Sequence, residues 1–394
     1  MSGAQPPRPR GVYVHVPFCA RRCHYCDFSV ARARHLPIGD YLAALEEDLR
    51  QWFSGPDDAC PVPIDTLFIG GGTPSLLGVD GMAALSDLLR TRFSWDADRV
   101  EWTAEANPNS LSVEVAVGWR KLGVNRLSLG VQSFQAEPLD WLGRLHDPRE
   151  AEQAVRTAIR AGFDRLNVDL IFGLPADVRR SWSQDVERAV ELGVSHISSY
   201  GLTAEPRTPL GRWVDVGRVR MPGDGRYADE YLEASAILVA AGFEHYEVSN
   251  YARPGHASRH NWLYWDGSEY LGVGPSAHSY LDGERIWNVF GWDRYLQAAV
   301  EGRSVREGRE RLEPDQRRLE RVWLDLRTTR GLDPADVTGP VAQARLAAWR
   351  AEGWVTDDAR PRLAPAGWLR LDALAAEVAE WSDGGQSSGI GSRD

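Results

Sequence analysis

Four short segments of the chain repeat one pattern. Lys121-Leu-Gly-Val124, Arg160-Ala-Gly-Phe163, Glu191-Leu-Gly-Val194 and Ala240-Ala-Gly-Phe243 each close a stretch of helical periodicity with a glycine, then place an apolar residue ahead of the next segment. Glycine accepts the left-handed conformation of a helix C-cap, so each repeat marks the end of a helix. Apolar runs of strand character occur at Val12–Val16, Thr66–Ile69, Val100–Ala104, Arg126–Gly130, Leu166–Phe172 and His196–Tyr200. Helical periodicity is read at Tyr41–Phe53, Pro148–Ala161, Val178–Leu192 and Tyr227–Ala241. Alternation of this kind demands a parallel sheet with helical crossovers. The expected fold is therefore α/β, a partial (βα)6 barrel, with an open doubly wound sheet as the alternative.

The remaining chain is read by composition and punctuation. Residues 1–10 are expected to be flexible, 11–245 to form the barrel and 246–308 to extend it. Glu205–Gly225, rich in Pro, Gly and Arg, reads as a long loop. From residue 309 to 382 the pattern changes to a mostly helical domain of winged-helix-like character. Its helices are expected at Pro314–Thr328, Val341–Glu352 and Trp368–Trp381, with a small hairpin at Gly353–Leu363. Residues 383–394 read as a disordered tail. With 43% apolar and 26% charged residues in 394, the composition is that of a folded globular protein. A net charge of −11 argues against a broad basic face for nucleic acid. The longest mainly apolar stretch, Ala234–Phe243, is too short to span a bilayer, and the N-terminus lacks the apolar core of a secretory signal, so a cytoplasmic location is expected.

Three of the four cysteines, Cys19, Cys23 and Cys26, lie within eight residues directly after the first strand, while Cys60 stands apart. Thiolates so spaced can converge on one face of a loop. A zinc site completed by His24 or His15 is one reading, but zinc sites normally use a second short pair, which this chain lacks. An iron–sulfur cube held by three thiolates, with one iron left open, is the other. Gly70-Gly-Gly-Thr-Pro74 follows the second strand, where a run without side chains lets a ligand approach the backbone. Glu105, Gln132 and Asp169 recur at strand C-terminal ends, the place where barrel enzymes build their sites, and Arg144 follows in a connection.

The segment Cys19-Ala-Arg-Arg-Cys23-His-Tyr25-Cys26 resembles the CxxxCxxC signature of the radical S-adenosylmethionine (SAM) superfamily. That resemblance implies a 4Fe–4S cluster on the three cysteines, SAM bound at the open iron, and reductive cleavage of SAM to a 5′-deoxyadenosyl radical. Further stretches, YVHVPFC, GGGTPS, EANP, GVQSF, NVDLIFGLP, YEVSNYARPGHASRHNWLYW and GVGPSAHS, resemble the group that contains oxygen-independent coproporphyrinogen III oxidases and their paralogues, the HemW haem chaperones. By this resemblance Tyr13, Tyr25, Gly71, Gly72, Thr73, Glu105, Gln132, Arg144 and Asp169 fall on SAM-contacting positions. The oxidases carry another cysteine two residues after the third ligand, and Phe28 occupies that position here. His260-Asn261-Trp-Leu-Tyr264-Trp265 fits the HNxxYW motif associated with haem in HemW. Read alone, the segment is better explained as a buried aromatic cluster around a hydrogen-bonded histidine. It follows Pro254-Gly255, which predicts a loop open to a large ligand, with His260 the expected iron ligand and His256 or His278 as alternatives. The resemblance implies a haem chaperone that passes haem to an acceptor protein, transiently membrane-associated where that acceptor is membrane-bound. The alternative is coproporphyrinogen oxidation.

Overall fold

A computed structural model describes residues 8–33, 35–53 and 60–381. The tail expected at 383–394 and most of the expected flexible N-terminus lie outside the described residues. The chain divides into two units. The larger runs to Glu244 and adds Ser249–Tyr264 and Ser268–Arg311; the smaller comprises His245–Val248, Trp265–Gly267 and the chain from Leu312.

The main-sheet strands of the larger unit are β1 (Gly11–Val16), β2 (Thr66–Gly71), β3 (Glu101–Ala106), β4 (Arg126–Gln132), β5 (Arg165–Phe172), β6 (His196–Gly201), β7 (Asn250–Ala252), β8 (Tyr270–Val273), β9 (His278–Leu281), β10 (Glu284–Asn288) and β11 (Arg306–Arg311). They lie in one sheet in the order β7-β6-β5-β4-β3-β2-β1-β8-β9-β10-β11. Pairing is parallel from β1 through β6, so six successive βα units sit side by side, the order a partial barrel requires. β8 adds a further parallel strand on the free edge of β1, and β9 to β11 continue antiparallel.

Helices cover the outer face. Helix Val113–Leu122 is capped by the Ser112 side chain and ends at Gly123 in the left-handed conformation. Helix Pro148–Arg160 opens with a reciprocal Asp147–Glu150 capping box and Pro148 in its first turn. The core lies between helices and strands: Leu45, Leu49, Leu67, Ile69, Trp102 and Trp119 are almost fully buried. Each such large side chain contributes about 1.5–3 kcal/mol of burial free energy.

The barrel's inner face is polar. Alternate residues of β3 to β6 point inward, and Glu105, Arg126, Ser128, Asn167, Asp169 and Ser198 all line an interior cavity, while Leu127, Leu129, Leu166 and Val168 between them pack outward and are buried.

One sequence expectation is corrected in the connection after β6. Residues 205–225 are not a continuous loop. Pro209–Asp215 is helical, because the Thr208 side chain accepts a bond from the Gly211 N–H and Pro209 presets the first turn. A second correction concerns the HNxxYW segment: Arg259–Trp265 is a helix rather than a loop, as described below.

The smaller unit is mainly helical, with helices Pro314–Arg327, Pro340–Ala351, Pro365–Trp368 and Leu371–Glu380. Arg321 makes a two-pronged pair with Asp336, and Trp349 packs on Trp381. Val355 and Leu363 form an isolated antiparallel bridge where a hairpin was expected.

Candidate cluster and cofactor site

Cys19 ends a two-residue strand, Phe18–Cys19, and Cys23 and Cys26 follow in the next turn. All three thiols are half-buried and line a cavity of about 540 Å³ at the strand C-terminal ends. Burial pushes the Cys19 thiol up to about 11, and the Cys26 thiol also rises. Thiols in this state bind metal only by giving up a proton, so metal and burial compensate each other. Among the described residues no three His, Cys, Asp or Glu side chains converge on a single ion, the geometry a zinc site requires. A cube takes each thiolate on a separate iron, so it does not ask the three thiols to meet at one ion.

The glycine run lies beside the cysteines. The Gly72 N–H donates to the Val16 carbonyl, and a Cβ on Gly72 would meet the Phe18 carbonyl oxygen at 2.6 Å and Cys19 Sγ at 3.1 Å. Gly71 has φ +110°, and its N–H donates to Glu105 Oε2 at 2.9 Å. Thr73 Oγ1 donates to Cys19 Sγ at 3.4 Å and accepts from Asn107 Nδ2 at 2.9 Å. Arg144 also reaches the cysteines. Its guanidinium donates to the Gly130 carbonyl at 2.7 Å and to Cys23 Sγ at 3.7 Å, and also bonds Asn107. The Arg144 charge opposes the rise that burial causes at Cys19 and Cys26.

Tyr25, Gly71, Gly72, Glu105, Gln132, Arg144 and Asp169 line this cavity together with the three cysteines. Gln132 has φ +70°, a left-handed conformation rare outside glycine, at a register shift in β4. Thr73 is buried just behind the wall. Tyr13 also lies behind it: its hydroxyl donates to His15 Nδ1 at 3.0 Å, and its ring packs on Phe68. Burial and the Asp169 charge push Glu105 up to about 8, so it is largely protonated at neutral pH. Burial also raises Asp169, opposed by a bond from Asn167 Nδ2 at 2.8 Å.

The cavity floor was not legible as a site in the sequence. Arg126, only 3% exposed, lines it with Ser128, Asn167 and Ser198. Asn167 Nδ2 bonds Ser128 Oγ at 2.7 Å, and its Oδ1 lies 2.6 Å from His196 Nδ1. The available signal was the polar alternation within Arg126-Leu-Ser-Leu and Arg165-Leu-Asn-Val-Asp.

The HNxxYW residues do not form one open site. Helix Arg259–Trp265 starts on the Glu101 carboxylate, which accepts from the Arg259 N–H at 3.0 Å and the His260 N–H at 2.9 Å. That compensation of free N–H groups is what makes the segment helical despite the preceding Pro-Gly. His260 is fully buried. Its Nδ1 lies 2.7 Å from Thr66 Oγ1 and its Nε2 2.9 Å from the Tyr264 hydroxyl. Burial holds its imidazole down at about 3. Tyr264 packs edge-on against Tyr270 at 4.6 Å, and Asn261 reaches the cavity. Trp265 belongs to the smaller unit, where Arg327 lies 4.3 Å over its ring. His260 in this arrangement presents no free nitrogen to iron.

Residues 13–189 match the Radical SAM superfamily. The chain is 39% identical over 351 residues to the heme chaperone HemW of Mycobacterium tuberculosis, covering 88% of this chain and 89% of that one. It is 34% identical to the heme chaperone HemW of Bacillus subtilis, covering 82% and 84%. The chain belongs to the HemW family. Among solved structures, coproporphyrinogen III oxidase (HemN) from Escherichia coli, a radical SAM enzyme, superposes with a TM-score of 0.77 at 23% identity, covering 96% of this chain and 92% of that one. That likeness shows that this chain has the same fold. The radical SAM class carries a 4Fe–4S cluster and SAM, and the cysteine loop, glycine run and polar cavity of this HemW family member fit both.

Proposed function

We propose that this protein is a haem chaperone: it binds haem and passes it to an acceptor protein, with the cluster and SAM in a supporting role. The observation that carries the reading is the 34–39% identity to curated heme chaperones over at least 82% of each chain. Phe28 supports it, standing where the resembling oxidases carry an additional cysteine.

Within this reading Cys19, Cys23 and Cys26 hold the cluster. Gly71, Gly72 and Thr73, with Tyr13, Tyr25, Glu105, Gln132, Arg144 and Asp169, form the SAM site. When bound, the cluster supplies an electron that no side chain can deliver. Arg144 sets a positive charge beside Cys23, and Glu105 holds the Gly71 backbone in its left-handed turn. Asn261 offers an amide to the cavity. The acceptor, by the same reading, is reached from the cytoplasm, and a membrane-bound acceptor would be docked transiently. Among the described residues no helix is long and apolar enough to cross a membrane.

The test is anaerobic reconstitution of the full chain followed by haem titration and transfer to an apo-haem protein. One haem per chain, leaving to the acceptor on mixing, is the expected result. A reconstituted protein that takes up no haem stoichiometrically would overturn the reading.

A further inference from the structure

The cavity at the strand C-terminal ends extends down the barrel to Arg126, the first residue of β4. Arg126 stands two residues before Ser128, which pairs with Glu105 of β3. A strand advances about 3.3 Å per residue, so Arg126 lies one inward layer, about 7 Å along the strand, below Glu105. Thr103 of β3 pairs with Arg126 in that layer. It is fully buried, and its hydroxyl makes no hydrogen bond among the described residues.

Four arginines line the cavity among the described residues: Arg21, Arg22, Arg126 and Arg144. Arg21 and Arg22 are exposed on the cysteine loop. Arg144 directs its guanidinium to the Gly130 carbonyl, Asn107 and Cys23. Arg126 is 3% exposed, and among the described residues its guanidinium makes no hydrogen bond or ion pair. Other interior arginines are paired: Arg180 with Glu230 and Arg306 with Asp48. The charges of Glu105 and Asp169 reach Arg126 through space, but neither carboxylate stands close enough for an ion pair. Glu105 accepts from the Gly71 N–H, and Asp169 accepts from Asn167 Nδ2 at 2.8 Å and from Ser128 Oγ. A buried guanidinium without a hydrogen-bonded partner is costly, and an anion brought into the cavity removes that cost. Asn261 adds a second donor: it lines the same cavity, and among the described residues its side-chain amide makes no hydrogen bond.

We propose that Arg126 and Asn261 form a carboxylate-binding subsite at the floor of the barrel cavity, one layer below Glu105. The planar fork of one guanidinium matches the two oxygens of one carboxylate, single charge against single charge. A dianion such as phosphate would set its second charge against Asp169. The inference goes beyond the haem-chaperone reading and rests on the cavity alone. Two sources supply a carboxylate: a free small carboxylic acid held beneath the SAM positions, or the propionate arm of a tetrapyrrole reaching down the barrel.

The experiment is calorimetric titration of the anaerobically reconstituted full chain as wild type, Arg126→Gln, Arg126→Lys and Asn261→Ala. The probes are sodium propionate, sodium phosphate, haem and haem dimethyl ester, at constant ionic strength. Cluster absorption and circular dichroism verify the fold of each variant. Propionate uptake, with haem and its ester bound alike, assigns the free acid; a preference for haem over its ester assigns the tetrapyrrole arm. In either case Arg126→Gln is expected to weaken the carboxylate-dependent binding about tenfold or more, the loss of a charged hydrogen-bond partner. Arg126→Lys, which keeps the charge without the fork, should weaken it less, and Asn261→Ala should weaken it severalfold. Where Arg126→Gln fails to fold, Asn261→Ala and the ester comparison in the wild type decide the question. A wild type that takes no propionate and binds haem and its ester equally would overturn the subsite, as would unaltered affinities in the folded variants, and the haem-chaperone reading would stand. Tighter binding of phosphate than of propionate would overturn the carboxylate assignment. A wild type that binds no haem would remove the haem-chaperone reading and leave the propionate titration to decide the subsite.

Discussion

At the scale of single residues, the site is organised by groups whose charge state depends on burial. Glu105 is the clearest case. Its side chain accepts the Gly71 N–H, yet burial and Asp169 push it up to about 8 from 4.5. A carboxyl raised in the folded state binds a proton there that the unfolded chain has already released. Stability is therefore greatest below the unfolded value and falls as pH rises through the window from 4.5 to about 8. Asp169, also raised by burial, acts in the same direction. Glu105→Gln keeps an acceptor for Gly71 without the titration. The melting temperature of the apoprotein should fall between about pH 5 and 8 in the wild type and fall less in Glu105→Gln. Parallel curves for the two proteins would remove Glu105 as the source.

At the scale of elements, the helix Pro209–Asp215 gives the cysteine loop its support. The Leu210 N–H donates to the His24 carbonyl at 2.9 Å, and Leu210 is fully buried with Leu142, Leu174 and Leu202. The His24 ring is clamped between Trp141, from helix Ala136–Leu142, and Trp213. His24 lies between Cys23 and Cys26, so this clamp fixes the loop that carries two of the three thiols. Trp213→Ala removes one wall and should cost about 1–3 kcal/mol at a half-buried aromatic position. The expected outcome is faster bleaching of the reconstituted cluster under chelator or air, with near-normal secondary structure. Equal bleaching rates would show that the clamp does not hold the loop.

At the scale of the whole molecule, the chain shares the fold of HemN, and the haem-chaperone reading turns on one position. The exposed Phe28 lines the cavity rim two residues beyond Cys26. A phenyl ring offers neither a thiol nor a proton to a substrate. Reconstituted protein with SAM and a reductant should therefore convert no coproporphyrinogen III to protoporphyrinogen, and formation of that product would restore the oxidase reading.

What the sequence by itself determined follows from local physics. The βα repeats, the caps at Asp147 and Gly123 and the cysteine spacing are written in neighbouring residues, because capping and periodicity act over a turn or two. The six parallel strands in consecutive order followed from that, while the place of the glycine run beside the cysteines was implied by the family resemblance. The tertiary structure decided what depends on distant partners. Helix Arg259–Trp265 exists because Glu101, far away in the chain, accepts its first N–H groups. His260 is buried because Thr66 and Tyr264 satisfy its ring, which no spacing within HNxxYW could reveal. Arg126 lines a cavity and His278 faces solvent beside Trp287 because of strand register, a property of pairing between segments rather than of any one of them.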